Sequence, residues 1–195
     1  MSWIQTYKSN IFDLFEMNYE SIDIEDIAHA LSLTCRYGGH CNSFYSVAEH
    51  SVRMSEQVPE KDAFWALMHD AAEAYLGDIP APFKLYFRIE RWDSIVKDFA
   101  EKTVSFEAVE NMLLEKIADL YGLQMPIPKS VKIADRRMAM TEKRDLLKKG
   151  NREWNFQAEP YKFKIRPWTP QTSEIMFMKK FKELKNAVES QVSSN

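Results

Sequence analysis

The sequence predicts an almost entirely helical domain, and three observations carry that reading. Glycine is scarce, at five residues in 195. Leu, Ile, Met and aromatic residues recur at a helical spacing through most of the chain. Ser or Asp stands repeatedly where such a stretch begins, and Gly or Pro where it ends. Hydrophobic residues make up 45% of the chain and there are five Trp, the composition of a packed core and not of a disordered tail. The length fits one domain over 1–195, with a core at about 20–150 and a loop or hairpin plus a C-terminal helix over 151–195.

The elements follow in order. Trp3, Ile4 and Tyr7 fit a short strand over 3–7. Asp23 reads as an N-cap ahead of the apolar stripe Ile24, Ile27, Ala28, Leu31, which carries a helix to about Thr34. A turn follows over Arg36–Asn42. Ser46-Val47-Ala48-Glu49 has the capping-box spacing and opens a helix with Val47, His50, Ser51 and Met54 on one face. Pro59 opens the next helix, running to Leu76 with Gly77 as its stop. Asp78-Ile79-Pro80-Ala81-Pro82 reads as a rigid loop, because its prolines forbid a continuous helix. Residues 90–121 read as one or two long helices ended by Gly122. Pro126-Ile127-Pro128 is a break, and Ser130 reads as the cap of a helix to about Lys149. Residues 151–170 read as a loop or small hairpin. Ser173 begins a last helix with Ile175, Met178, Phe181, Leu184 and Val188, and Ser190–Asn195 is expected to fray.

Composition narrows the function classes. A net charge of −3 carries no basic excess of the kind a nucleic-acid footprint needs. Cys35 and Cys41 form no CxxC motif and are expected as free thiols in a reducing cytosol. The first residues lack a basic stretch followed by an apolar run, and no apolar run approaches membrane-spanning length. The expectation is a soluble, cytoplasmic protein with no membrane and no nucleic-acid partner.

Four positions carry the chemistry. His50, the adjacent pair His69-Asp70, and Asp135 supply two imidazoles and two carboxylates, a sufficient ligand set for one divalent ion. That donor set suits Zn, Mn, Fe, Co or Ni better than Mg or Ca. The chain has four histidines in all, so two of them in one ordered pattern weigh heavily against each being an unrelated core or surface residue. Glu73 lies one helical turn beyond His69 and Asp70 and so on their side of the helix, where a general acid or base should stand. Ahead of these motifs, Arg36 offers a bidentate fork for phosphate, Tyr37 a flat face for a base, and Gly38-Gly39-His40 backbone N–H groups and an imidazole for an anion. Lys84 is a further phosphate cation.

The ordered set His50, His69-Asp70, Asp135 resembles the signature of the HD-domain phosphohydrolases. Within that superfamily, Arg36-Tyr37, His69-Asp70-Ala71-Ala72-Glu73 and Gly77-Asp78-Ile79-Pro80-Ala81-Pro82-Phe83-Lys84 are similar to two groups. One is the bacterial 5′-deoxynucleotidases acting on deoxynucleoside monophosphates; the other is the phage-type dATP triphosphohydrolases. Trp3-Ile4-Gln5-Thr6-Tyr7, Phe12-Asp13-Leu14, Ile24–Leu31 and Phe44-Tyr45-Ser46-Val47 lean toward the second. The match is strong over 1–87 and near Asp135 and poor over 88–125 and 150–195. Tyr37 departs from the Trp that the monophosphatases tend to carry.

The resemblance implies an HD helical bundle, all-α with at most a small hairpin, and metal-dependent hydrolysis of the 5′-phosphate ester. dATP is the favoured substrate, with deoxynucleoside monophosphates as the alternative. It implies His50, His69, Asp70 and Asp135 as metal ligands for Co, Zn, Mn or a similar ion, with room for a second, substrate-bound divalent ion. Glu73 and Asp78 are the expected catalytic pair, Asp78 standing near the sugar or leaving oxygen beside Tyr37. Arg36, His40 and Lys84 are the expected phosphate clamp. It also implies a homo-oligomer, dimer or hexamer, in the cytoplasm, the host's if phage-encoded. Guanosine-tetraphosphate hydrolysis fits poorly, since Glu73 is followed by Ala74 and not by a second acid. Cyclic-nucleotide phosphodiesterases use more histidines. A non-catalytic nucleotide sensor would be expected to lose a ligand or Glu73, and both are kept.

Overall fold

The computed structural model describes residues 3–90 and 103–192. They are mostly helical, with two small antiparallel strand pairs at the periphery. Strands β1 (Trp3–Gln5) and β2 (Ile11–Asp13) pair with Ile4 opposite Phe12. Phe12 turns inward and is buried against Tyr75. The first strand was expected; the second, only three residues long, is too short to show an alternating pattern.

Helix α1 (Ile24–Leu33) starts where its cap predicts, the Asp23 carboxylate accepting from Glu25 N–H. Helix α2 (Val47–Ser55) starts at Ser46, whose hydroxyl accepts from Glu49 N–H. The capping box is only half formed. Glu49 is drawn away to Arg53 and accepts the Trp168 N–H at 2.7 Å, which ties the C-terminal loop to α2.

The helix expected from Pro59 to Leu76 is broken. A 3-10 turn (Glu60–Asp62) leads into α3 (Ala63–Met68), and α4 (Glu73–Leu76) follows after His69–Ala72. Across the junction the N–H groups of Ala71, Glu73 and Ala74 bond three residues back, to Met68, Asp70 and Ala71 carbonyls. Such a tightened turn eclipses side chains at i and i+3, so Asp70 and Glu73 point the same way. Gly77 ends α4 with φ 80° and ψ 155°, a conformation essentially confined to glycine.

The proline-rich segment is not all loop. Pro80 caps a single turn, α5 (Ala81–Lys84), with Pro82 in its first turn, where a missing N–H costs nothing. Beyond it, strand β3 (Arg88–Glu90) pairs with β4 (Thr103–Ser105), Ile89 opposite Val104. Of the one or two long helices expected over 90–121, the described residues are helical only from Phe106; Glu90 and Thr103–Ser105 are strand, and the expectation for 91–102 lies outside the described residues. Helix α6 (Phe106–Leu120) is capped by the Ser105 hydroxyl, and Gly122 follows with positive φ. Helix α7 (Lys129–Leu146) begins after Pro128, not at Ser130. The Ser130 hydroxyl instead donates to Asp62 at 2.5 Å.

Residues 151–169 form a loop and no hairpin. It is pinned by α7: Arg144 donates to the Tyr161 and Phe163 carbonyls, and the Thr141 hydroxyl accepts the Tyr161 N–H. Helix α8 (Pro170–Val192) starts earlier than expected, with the Thr169 hydroxyl accepting the Thr172 N–H. The fraying expected at the end falls partly on residues 193–195, outside the described residues. Helices α1, α2, α3 and α8 pack on one another around Ile27, Leu31, Val47, Met54, Leu67 and Phe177, all fully buried. No helix among the described residues is long and apolar enough to cross a membrane.

Candidate metal centre

Three elements bring nitrogen and oxygen donors to one point. α2 carries His50 into the core, the tightened turn after α3 presents His69, and α7 presents Asp135. One ligand atom from each of these residues lies within 4.8 Å of the others. The two imidazoles face each other, Nε2 to Nε2, at 3.4 Å. Asp135 Oδ1 is 3.4 Å from His50 Nε2. Asp70 borders the same point, its Oδ1 3.3 Å from His69 Nε2 and its Oδ2 3.7 Å from His50 Nε2.

The chemistry of this donor set fits a divalent ion. His50 Nδ1 donates to Glu142 Oε1 at 2.6 Å, and His69 Nδ1 donates to the Ala66 carbonyl at 2.8 Å. Both outer nitrogens are therefore committed as donors, which turns both Nε2 atoms toward the shared point, where a deprotonated Nε2 would offer its lone pair to an ion. Orienting a ligating histidine through its other nitrogen is the usual arrangement around protein-bound metals. The ions that imidazole and carboxylate suit are those named above.

Glu142 is the residue that sequence reasoning missed. It is fully buried and also accepts from Tyr37 Oη at 2.5 Å and from Arg36 Nε at 3.3 Å. Burial pushes its carboxyl up, but the Arg36 and His50 charges and the bonds from His50 and Tyr37 hold it down at about 2. One signal was available: Glu142 lies seven residues after Asp135, about two helical turns along the same face. Glu142→Ala should weaken metal affinity by about 10- to 100-fold. Because it strips a buried charge from its partners, it should also cost about 3–5 kcal/mol of stability. Metal titration and denaturant unfolding check both; unchanged affinity would refute the orienting role.

Burial and the Arg36 charge lower the His50 pKa, but Glu142 and Asp135 prevail and raise it to about 9. Metal-free His50 is therefore an imidazolium at neutral pH, and an ion must displace its proton. Binding at pH 7 should release about one proton from His50, and affinity should fall about tenfold per pH unit below 9. Calorimetry in buffers of different ionisation enthalpy reads the proton count; no release would contradict the His50 assignment.

The remaining residues divide into two groups. A cavity of about 190 Å³ is lined by His69, Asp70, Glu73, Lys84 and Asp135, together with Glu110, Asn111, Lys132 and apolar residues of α6 and α7. Glu73 is buried, with Oε1 held by Lys84 at 3.2 Å, while Oε2 is buried without a donor. Burial and the Asp70 and Asp78 carboxylates raise its pKa well above the usual value, against the pull of Lys84 and Arg36. Asp78 is half-buried; burial and Asp70 raise its carboxyl too, against Arg36 and Lys84.

Arg36, Tyr37, His40 and Asp78 do not line this cavity. Arg36 stands behind it, bridging Asp70 and Glu142 at 3.3 Å each. Tyr37 is held in the left-handed region, at φ 57°, which is strained for a residue of its size. Its hydroxyl is tied to Glu142 and its ring sits 6.1 Å from that of Trp154. His40 is exposed, and its backbone N–H donates to the Tyr37 carbonyl. Cys35 and Cys41 are free thiols, and Cys41 Sγ donates to the Arg36 carbonyl.

A helical domain in which separate helices converge His, His-Asp and Asp belongs to the class of HD-domain hydrolases. A profile described as 5′-deoxynucleotidase YfbR-like matches residues 40–184. The chain belongs to this YfbR-like family of the HD superfamily and is a hydrolase. Its relatives include the uncharacterized protein YfdR of Escherichia coli K12, 38% identical over 187 residues, covering 94% of this chain and 96% of the relative. An uncharacterized protein of Rhodobacter capsulatus is 30% identical over 154 residues, covering 72% of this chain and 71% of the relative.

Proposed function

We propose that the protein is a 5′-deoxynucleotidase that hydrolyses deoxynucleoside monophosphates to the deoxynucleoside and inorganic phosphate. The observation that carries this reading is the cavity in which His69, Asp70 and Asp135 meet the buried Glu73, in a chain of the YfbR-like family. The family favours this substrate over the dATP expected from the N-terminal segments, and the electrostatics agree. Lys84 and Arg36 are each already paired with two carboxylates. Among the described residues the pocket lining sets Lys84 and Lys132 against Asp70, Glu73, Glu110 and Asp135, short of the cationic excess that a triphosphate would call for.

His50, His69 and Asp135 would hold the ion, with Asp70 beside them. When bound, it supplies charge stabilisation for phosphoryl transfer and a water of lowered pKa. Glu73, buried and raised in pKa, is placed to move a proton at Oε2, the oxygen that lacks a donor. Arg36 holds Asp70 in place through Nη1. Asp78 carries a raised carboxyl on the loop after Gly77, suited to the sugar or the leaving 5′-oxygen.

A metal-supplemented panel of ribo- and deoxynucleoside mono-, di- and triphosphates, with products separated by chromatography, tests the reading. Deoxynucleoside and phosphate from the deoxy monophosphates are expected. Tripolyphosphate released from dATP would overturn the monophosphate assignment. No hydrolysis by metal-loaded protein would leave a nucleotide sensor. We also infer a homo-oligomer of one domain per chain, and a monomer mass by light scattering would refute it.

A further inference from the structure

Among the described residues three cations stand at or behind the cavity, and two are already committed. Lys84 Nζ lies 3.2 Å from Glu73 and 2.6 Å from Glu110. Arg36 lies between Asp70 and Glu142. A phosphate reaching either must compete with a carboxylate for the same N–H groups. Lys132 differs: it is exposed, lines the cavity, and its side-chain ammonium has no hydrogen-bond or carboxylate partner among the described residues. It precedes Asp135 by three residues on α7, and side chains at that spacing lie side by side on a helix.

We propose that Lys132 is the side chain that receives the substrate phosphate, a role that rests on the nucleotidase reading and deepens it. An unpaired surface lysine is ordinarily just a solvated charge. Here its position changes its meaning. The cavity wall carries Asp70, Glu73, Glu110 and Asp135, so an incoming phosphate dianion meets an acidic surface. A lysine at the rim offsets that repulsion without breaking an existing pair. Its flexible stem can swing over a phosphate held beside Asp135.

The test uses the full chain loaded with Mn²⁺, as wild type, Lys132→Met and Lys132→Arg. Calorimetry measures inorganic phosphate and deoxyadenosine separately. Lys132→Met should weaken phosphate binding by about 10- to 100-fold, the loss expected for one charge-assisted hydrogen bond. Lys132→Arg should stay near wild type, and deoxyadenosine affinity should be the same in all three. Equal phosphate affinity in wild type and Lys132→Met, or a parallel loss of deoxyadenosine binding, would overturn the proposal. So would a wild type that binds no phosphate. A wild type that binds phosphate through Lys132 yet hydrolyses no nucleotide would support the Lys132 site while removing the nucleotidase reading. Monophosphate hydrolysis with an unchanged KM in Lys132→Met and unchanged phosphate binding would remove Lys132 alone.

Discussion

Replacing Asp135 with Ala should leave the purified protein without stoichiometric divalent metal and lower monophosphate hydrolysis by about 10³-fold or more. The side chain is 44% exposed, so its loss opens no core cavity and the fold should survive. What it removes is specific. Partial desolvation at the cavity wall pushes its carboxyl up, but the His50 bond and charge, followed by the charges of His69 and Arg36, hold it well below the usual range. It is therefore an anion across the working pH range and, with Asp70 beside it, supplies negative charge to a centre whose other donors are two imidazoles. Metal assistance contributes several kcal/mol to phosphoryl transfer, and each 1.36 kcal/mol is a factor of ten in rate. Elemental analysis, with circular dichroism as the folding control, checks the outcome. Metal content equal to wild type in a folded Asp135→Ala protein would exclude it as a ligand.

Much of this centre could be read from the chain because His50 and Asp135 sit on well-patterned helices and His69-Asp70 is an adjacent pair. His50 lies on an apolar stripe behind a capping serine, and the cap forms. Glu142 escaped notice for a physical reason. It is flanked by Lys143, Arg144 and Asp145, and such a run reads as a solvated face. Only the packing of α7 against the turn holding Arg36 and Tyr37 buries it. The break after α3 was equally hidden, since His69-Asp70-Ala71-Ala72 has no Gly or Pro to announce it. The turn tightens through its own hydrogen bonds, a choice made by tertiary packing. Strands β2, β3 and β4 are three residues each, shorter than any window in which alternation can be recognised. The phosphate count was not legible at all, because the segments that leaned toward triphosphates lie in the N-terminal strands, α1 and the start of α2, none of which lines the cavity.

Glu73→Gln should separate chemistry from stability in one variant. The amide keeps the shape and an oxygen able to accept from Lys84, but cannot take up or deliver a proton as the acid does. If Glu73 moves a proton in the reaction, kcat should fall by about 10²- to 10⁴-fold, with metal content unchanged and KM little affected. Stability should move the other way. The Glu73 pKa is raised in the fold by burial and by the Asp70 and Asp78 carboxylates. The native state therefore binds more protons than the unfolded chain once pH exceeds the ordinary value of 4.5. Stability then declines as pH rises through that window, because the buried site resists ionisation. Below the ordinary value the acid is protonated in both states and the penalty vanishes. Metal-free Glu73→Gln should accordingly melt above wild type at pH 8 and match it near pH 4. A melting difference that is the same at both pH values would show that ionisation of Glu73 carries no cost in the fold. An unchanged kcat would remove it from the proton transfer.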